Sequence, residues 1–286
     1  MNVEKISFVI PAYNEGKTIA SVVTQLTNKF PEAEILVVND GSDDNTKDEA
    51  VKAGALVYSH PHCMGNGASV KDGIRYCSGE IIVLMDADGQ HKPEDAERLL
   101  QYIKTCNVIV GARTSSSKIV WYRDIANTIY NRLASYMTDF KIEDLTSGFR
   151  VFRKSEVSQF LYLLPNGFSY PTTVAMAYLR SGRSVHYVPI ETEFRTGKSK
   201  IKLVKDSSKF LLIIMRIATL YSPLKIFMPT SLIFFALGMF WYLFSYFICN
   251  AGIPKMSLLL FMTSVIVLMQ GLLSEQICQM RYDKTG

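Results

Sequence analysis

The 286-residue sequence predicts an α/β protein: a mostly parallel sheet with helices on both faces, then interfacial helices, then two helices able to cross a membrane. Three observations lead there. Short apolar runs alternate with helix-like segments through the first half of the chain, the beat of βαβ units. Residues 226–254 and 256–274 contain no Asp, Glu, Lys or Arg. Three apolar runs end in abruptly polar segments, "PAYNE", "NDGSDDNT" and "DADGQH", as strands do when they deliver side chains to a crevice at the carboxyl edge of a parallel sheet.

In chain order, strands are expected at 6–10, 35–38, 55–58, 81–85 and 108–110, from their aliphatic content and turn-forming flanks. Helices are expected at 17–28, 46–53, 68–77 and 93–105, the last opening on Pro93, where a missing N–H is harmless. Past Arg113 the beat changes, to a long helix at 119–137, a strand at 149–152, a helix at 171–179 and a strand at 185–193. Residues 205–220, "KDSSKFLLIIMRIATL", have one polar side and a broad apolar remainder, and read as a helix in the membrane interface; a buried core helix is the alternative. Residues 226–248 and 257–274 read as the spans, since about 20 helical residues cover the hydrocarbon core, and the short "NAGIPK" between them makes a tight hairpin. This divides the chain into an α/β domain at 1–200, juxtamembrane helices at 201–225, and a hairpin with a short tail at 226–286.

Hydrophobic residues make up 48% of the chain, and the segments past residue 225 account for the excess over a soluble domain. The N-terminus, "MNVEKISFVIPAYNE", carries too short an apolar run for a secretory signal. Lys205, Lys209, Arg216 and Lys225 precede the spans and Arg281 and Lys284 follow them, a bias that places the larger domain on the cytoplasmic side, with a bacterial or archaeal plasma membrane as the expected location. Five cysteines, odd in number and without CxxC spacing, argue against a disulfide framework and fit a reducing compartment. The net charge of +5 is concentrated near the membrane segments, so the lipid bilayer rather than nucleic acid is the expected partner.

Asp86 and Asp88 stand two residues apart at the end of the apolar run "IIVLM". Two carboxylates that close repel unless a cation neutralises them, so they are a candidate seat for Mg²⁺ or Mn²⁺, hard ions that share oxygen ligands with substrate phosphates. A solvated turn is the alternative. Pro11 and Tyr13 can wall a base, Glu15 can accept from ribose hydroxyls, and Asp40 from a base N–H; "NDGSDDNT" also reads as an ordinary helix-capping loop. "HPHC" at 60–63, even with His91, matches no common zinc spacing, and "GNGASV" has Val70 where a dinucleotide fingerprint needs glycine. Tyr221, Trp241, Tyr242 and Tyr246 read as interfacial aromatics.

In this order, "PAYNE", "VVNDGSDDNT", "GNGASVKDG", "DADGQHKPED", "GAR", "DLTSGFR" and "RTGKSK" resemble the family 2 glycosyltransferases with a GT-A fold, a Rossmann-like, mostly parallel sheet. The resemblance is strongest to the dolichol-phosphate mannosyltransferase-like, polyprenyl-phosphate branch, whose bacterial members carry two C-terminal spans. It implies that Pro11, Ala12, Tyr13, Glu15 and Asp40 contact the nucleoside of a UDP- or GDP-sugar. Asp86 and Asp88, the family's DxD, would hold the metal on the diphosphate, with Gln90 beside them. Arg113, Arg123, Arg195, Lys198, Ser199 and Lys200 would meet the acceptor phosphate or the donor diphosphate; the family pattern has a serine four residues after the second of these arginines, where this chain has Asn127. Asp144 is expected beside sugar and acceptor, either orienting a sugar hydroxyl or bracing Arg150. "RTGKSKIK" also reads as a basic patch attracting anionic lipid. The implied activity is metal-dependent, inverting transfer of a sugar to a polyprenyl phosphate, with homo-oligomerisation left open. A processive polysaccharide synthase would share the core but carry a QxxRW motif and more spans, neither of which is visible; a membrane-tethered nucleotide-sugar-binding protein is the non-enzyme alternative.

Overall fold

The computed structural model describes residues 4–114, 121–167, 170–191, 222–248, 252 and 254–282. The chain falls into two compact units, Met1–Lys202 and Leu203–Gly286. The first is built on a seven-stranded sheet in which β1 (Ile6–Ala12), β2 (Glu34–Asn39), β3 (Leu56–Ser59), β4 (Ile81–Leu84), β5 (Val108–Arg113), β6 (Arg150–Arg153) and β7 (Val185–Ile190) lie in the order β3-β2-β1-β4-β6-β5-β7. Among these strands β6 alone runs antiparallel to its two neighbours. Helices α1 (Ile19–Lys29), α2 (Thr46–Lys52), α3 (Asn66–Tyr76) and α4 (Pro93–Leu100) connect the first strands; α5 (Trp121–Thr138), α6 (Lys154–Val157), a 3₁₀ turn at Ser158–Leu163 and α7 (Tyr170–Arg180) follow.

The strands are continuous apolar runs because both faces of the sheet are covered. On one face Phe8, Ile10, Ile35, Val37, Val83 and Val151 form a core with Ile19, Val22, Val23 and Leu26 of α1 and with Ala96 and Leu99 of α4. On the other, α3 lies against Val9 of β1 and Val38 of β2. Six strands pointing the same way bring their carboxyl ends to one edge, and β6 enters the sheet from that edge at Arg150, which pairs with Leu84 and Val110.

Most expected elements are present, with instructive shifts. β1 continues through Pro11 and Ala12, and β5 through Gly111 to Arg113, because parallel partners in β2 and β7 hold residues that local composition reads as turn. The helix expected to reach Thr105 stops at Leu100, and Tyr102 and Ile103 donate instead to Leu99 and Leu100, the tighter i→i−3 bonding that closes a helix. α6 and the 3₁₀ turn have no counterpart among the expected elements. The interfacial helix expected at 205–220 lies outside the described residues, as do positions 192 and 193 of the last strand.

The second unit contains α8 (Leu224–Ile248) and α9 (Lys255–Tyr282), two helices long and apolar enough to cross a membrane. Only 11% and 17% of their apolar windows are buried against protein, as a membrane span would leave them. Small residues set the contact: the Ser231 and Ser264 hydroxyls each reach the other's backbone carbonyl at 2.9 Å, and Gly271 meets Phe227. At the opening of α8, Leu224 N donates to Glu275 Oε2 at 3.3 Å.

Candidate functional site

The strand order reverses between β1 and β4, the position at which an α/β sheet leaves a crevice beyond its carboxyl edge. The three polar segments meet there. After β1, Asn14 N donates to Ser42 Oγ at 3.0 Å, Glu15 N to Thr46 Oγ1 at 2.8 Å and Gly16 N to Asp44 Oδ2 at 3.1 Å, stitching "PAYNE" to the segment after β2. Thr18 Oγ1 donates to Ala87 O at 2.8 Å and ties the same loop to the segment after β4. Asp44 thus bridges two loops, a larger task than capping α2. Ala12 is buried, while Pro11, Tyr13 and Glu15 are half-buried along this edge.

Asp40 lies beneath the edge with its side chain 5% exposed. Its Oδ1 accepts from Met64 N at 2.8 Å and faces His60 Nδ1 at 2.7 Å; its Oδ2 accepts from Gly65 N at 2.9 Å and Cys63 Sγ at 3.2 Å. A carboxylate has about four acceptor positions, so these contacts occupy them. Burial pushes the Asp40 carboxyl up, but the donors from His60, Met64, Cys63 and Gly65 outweigh it and hold the group below the usual carboxylate range. The structure therefore gives Asp40 a different surrounding from the one expected: it fastens the 60–65 loop over the end of β2. His60 continues the network to Asp72 Oδ2 at 3.1 Å, which explains "HPHC" without zinc. The start of α3 is filled by protein, with Ala68 N donating to Asn166 O at 3.1 Å, a second reason why "GNGASV" is not a dinucleotide fingerprint.

Asp86 is more accessible than Asp40, its side chain 38% exposed. Asp88 is buried and its Oδ1 accepts from Gln90 N at 3.2 Å. His91 packs behind them, stacked on Phe149 with centroids 4.7 Å apart and with Nε2 3.9 Å from Asp86 Oδ2. Gly148 brings the "DLTSGFR" segment against the same carboxylate: a Cβ there would lie 3.0 Å from Asp86 Oδ2 and 3.1 Å from the Tyr170 hydroxyl, so no larger residue fits without displacement. Burial, then the charge of Asp86, push the Tyr170 hydroxyl far up, so it stays protonated. Among the described residues no three His, Cys, Asp or Glu side chains gather to cage a metal. A solvent-reached carboxylate with a buried one two residues on fits Mg²⁺ or Mn²⁺, which keep waters and take further oxygens from phosphates.

Asp144 clasps Arg113. The guanidinium donates through Nε to Oδ2 at 2.8 Å and through Nη2 to Oδ1 at 2.9 Å, Arg113 N adds a bond to Oδ2 at 3.2 Å, and Nη2 also reaches Thr146 Oγ1. Burial pushes the Asp144 carboxyl up, but Arg113 outweighs it and holds the group below the usual range. The alternative in which Asp144 braces Arg150 is thereby corrected: Arg150 donates to the Ser147 and Leu145 carbonyls instead, at 2.9 and 3.1 Å. Arg123 falls in α5, but its side chain is outside the described set, and Arg195, Lys198, Ser199 and Lys200 lie outside the described residues. Sequence reasoning weighs His60 and His91 only as zinc ligands and sets them aside, and does not reach Tyr170, because each acts through a contact between segments distant in sequence.

With this geometry in place, comparisons with known proteins agree. The profile described as glycosyl transferase family 2 matches residues 7–160, and that of a GtrB C-terminal hairpin matches residues 222–280. The chain is 28% identical over 222 residues to an undecaprenyl-phosphate mannosyltransferase of Micrococcus luteus, covering 69% of this chain and 87% of that protein. It is 29% identical over 211 residues to a polyprenol monophosphomannose synthase of Mycolicibacterium smegmatis, covering 68% and 79% respectively. In fold it resembles glucosyl-3-phosphoglycerate synthase from Mycobacterium tuberculosis, solved in complex with Mn²⁺, UDP-glucose and phosphoglyceric acid, with a TM-score of 0.62 at 19% identity over 75% of this chain and 79% of that one. The same enzyme in complex with Mg²⁺ and UDP gives a TM-score of 0.61 at 18% identity over 76% and 79%.

Proposed function

From the premise that this chain belongs to glycosyl transferase family 2 and carries a GtrB C-terminal hairpin, we propose that it moves a sugar from a UDP- or GDP-sugar to a polyprenyl phosphate at the cytoplasmic face of a membrane, with inversion at the anomeric carbon. One observation carries the choice of acceptor: a glycosyltransferase domain is joined in one chain to two helices apolar enough to enter a bilayer, and more than two-thirds of the chain aligns with relatives named for polyprenyl acceptors.

A polyprenyl phosphate is anionic near neutral pH, so its oxygen attacks the anomeric carbon without a general base. The bond from that carbon to the acceptor oxygen forms as the bond to the nucleoside diphosphate breaks. What the protein must supply is orientation and positive charge for two phosphate groups that repel each other. Pro11, Ala12, Tyr13 and Glu15 face the nucleoside in this reading, over a floor fixed by Asp40. Asp86 and Asp88, with Gln90 beside them, would hold a divalent cation, which would take up the diphosphate oxygens and neutralise the leaving group. Asp144 presents the Arg113 guanidinium at the same edge. Arg123, Arg195, Lys198, Ser199 and Lys200 are assigned to the acceptor phosphate.

The test is direct. Purified protein is given labelled UDP- and GDP-sugars, Mg²⁺ or Mn²⁺, and a short polyprenyl phosphate, and a chloroform-soluble sugar phosphate is expected. Label found only in water-soluble polymer would replace this reading with a polysaccharide synthase. Donor binding without transfer under every condition would make the chain a binding protein.

A further inference from the structure

Arg150 is completely buried, 0% exposed, in the interior of the sheet. The register explains where it is: Leu36, Val9, Leu84, Arg150, Val110 and Tyr187 form one row across six strands, a cation between aliphatic neighbours on β4 and β5, with the Tyr187 and Tyr170 hydroxyls and, more weakly, the Asp144 carboxylate as the polar groups that favour its charge. Among the described residues no carboxylate pairs with it. Nε and Nη2 donate to the Ser147 and Leu145 carbonyls, Nη1 has no hydrogen-bond partner among the described residues, and burial pushes its pKa down. Holding an ion in such a place costs roughly several kcal/mol, and an apolar side chain of similar volume is often equally stable or more so. Folding alone gives little reason for an arginine here.

The carbonyls it grips indicate its task. Leu145 and Ser147 alternate along the segment that also offers Asp144 to Arg113, anchors Ser147 Oγ on Gly111 O at 2.6 Å, and brings Gly148 against Asp86. Two attachments hold this segment from β5; Arg150 holds it from inside the sheet. We propose that Arg150 is a positioning residue for sugar transfer, a buried clamp that presets residues 144–148 so that the Arg113 guanidinium and the wall beside Asp86 are in place before substrate arrives. This rests on the transferase reading, but the clamp itself can be measured without substrate.

The experiment compares wild type, Arg150→Met and Arg150→Lys as full chains in detergent. Hydrogen–deuterium exchange should show the amides of residues 144–149 exchanging about 10-fold faster in Arg150→Met while the β1 and β4 amides keep their protection. Its melting temperature should fall by no more than about 3 °C. Its kcat should drop about 30-fold or more with donor KM within about 3-fold, as expected when a reacting group is displaced and donor binding is left intact. Arg150→Lys, which keeps the charge and a donor, should recover part of both the protection and kcat. Unchanged exchange at 144–149, faster exchange with unaltered kcat, no recovery in Arg150→Lys, or unfolding of Arg150→Met would each overturn the proposal. A wild type that transfers no sugar would sink the transferase reading while the exchange arm still decides whether the clamp exists.

Discussion

Asp40 and Asp144 share an edge of the sheet with Asp86, yet their side chains are 5% and 8% exposed and saturated by internal donors, whereas that of Asp86 is 38% exposed. The contrast separates two uses of the same functional group. A carboxylate surrounded by His60, Met64, Gly65 and Cys63, or clasped by Arg113, fixes the position of a wall. One that solvent reaches, beside Asp88 on the same turn, is placed to receive something. The fold thus builds its site from rigid carboxylates that hold loops together and an accessible one around which they are held.

Substitutions should sharpen that division. The largest effect is expected from Asp86→Ala: turnover should fall by about 10²–10³-fold or more while the melting temperature stays within about 2 °C, measured by product formation and thermal unfolding. Equal losses of stability and activity would erase the distinction. Asp144→Ala should add a loss of stability to its loss of turnover, destabilising the first unit by about 2 kcal/mol in denaturant titrations, because it strands the Arg113 guanidinium and partial solvent exposure of that group tempers the penalty. Asp40→Asn should cost roughly 1 kcal/mol and speed alkylation of Cys63, whose thiol it holds.

Acid should act on the same two groups. Both Asp40 and Asp144 are held below their ordinary pKa, so the stability they contribute is fully present above about pH 4 and is lost as pH falls through their lower folded values. Unfolding free energy followed from about pH 6 to about pH 2.5 should decline at the acid end, and the decline should flatten in Asp40→Asn and Asp144→Asn. The smallest effect belongs to the hairpin, where Ser231→Ala should weaken the contact of α8 with α9 by about 0.6 kcal/mol, read by unfolding in detergent.

The sheet and the hairpin are legible in the sequence because burial on two faces and immersion in hydrocarbon both write uninterrupted apolar runs. The convergence of "PAYNE", "NDGSDDNT" and "DADGQH" is legible too, since parallel strands must bring their ends to one edge. The tasks of individual carboxylates are not. Asp40 reads as a strand-end acceptor until Met64 and Gly65, donors from more than twenty positions away, are seen to occupy it. Asp144 reads either as a group that orients a sugar hydroxyl or as a brace for nearby Arg150; the antiparallel entry of β6 turns Arg150 into the sheet and brings Arg113 of β5 across to Asp144 instead. The zinc reading of His60 fails on spacing alone; what occupies its ring, Asp40 at the end of β2 and Asp72 on α3, only the fold shows. Local pattern reports which faces are buried; which donors reach a given oxygen is decided by topology.

The most direct measurement of the central claim is Mn²⁺ binding followed by electron paramagnetic resonance, with UDP or GDP present, in wild type, Asp86→Asn and Asp144→Asn. The accessible carboxylate predicts that Asp86→Asn weakens Mn²⁺ uptake about 10-fold or more, while Asp144→Asn stays within about 3-fold of wild type. Equal uptake by wild type and Asp86→Asn would contradict it.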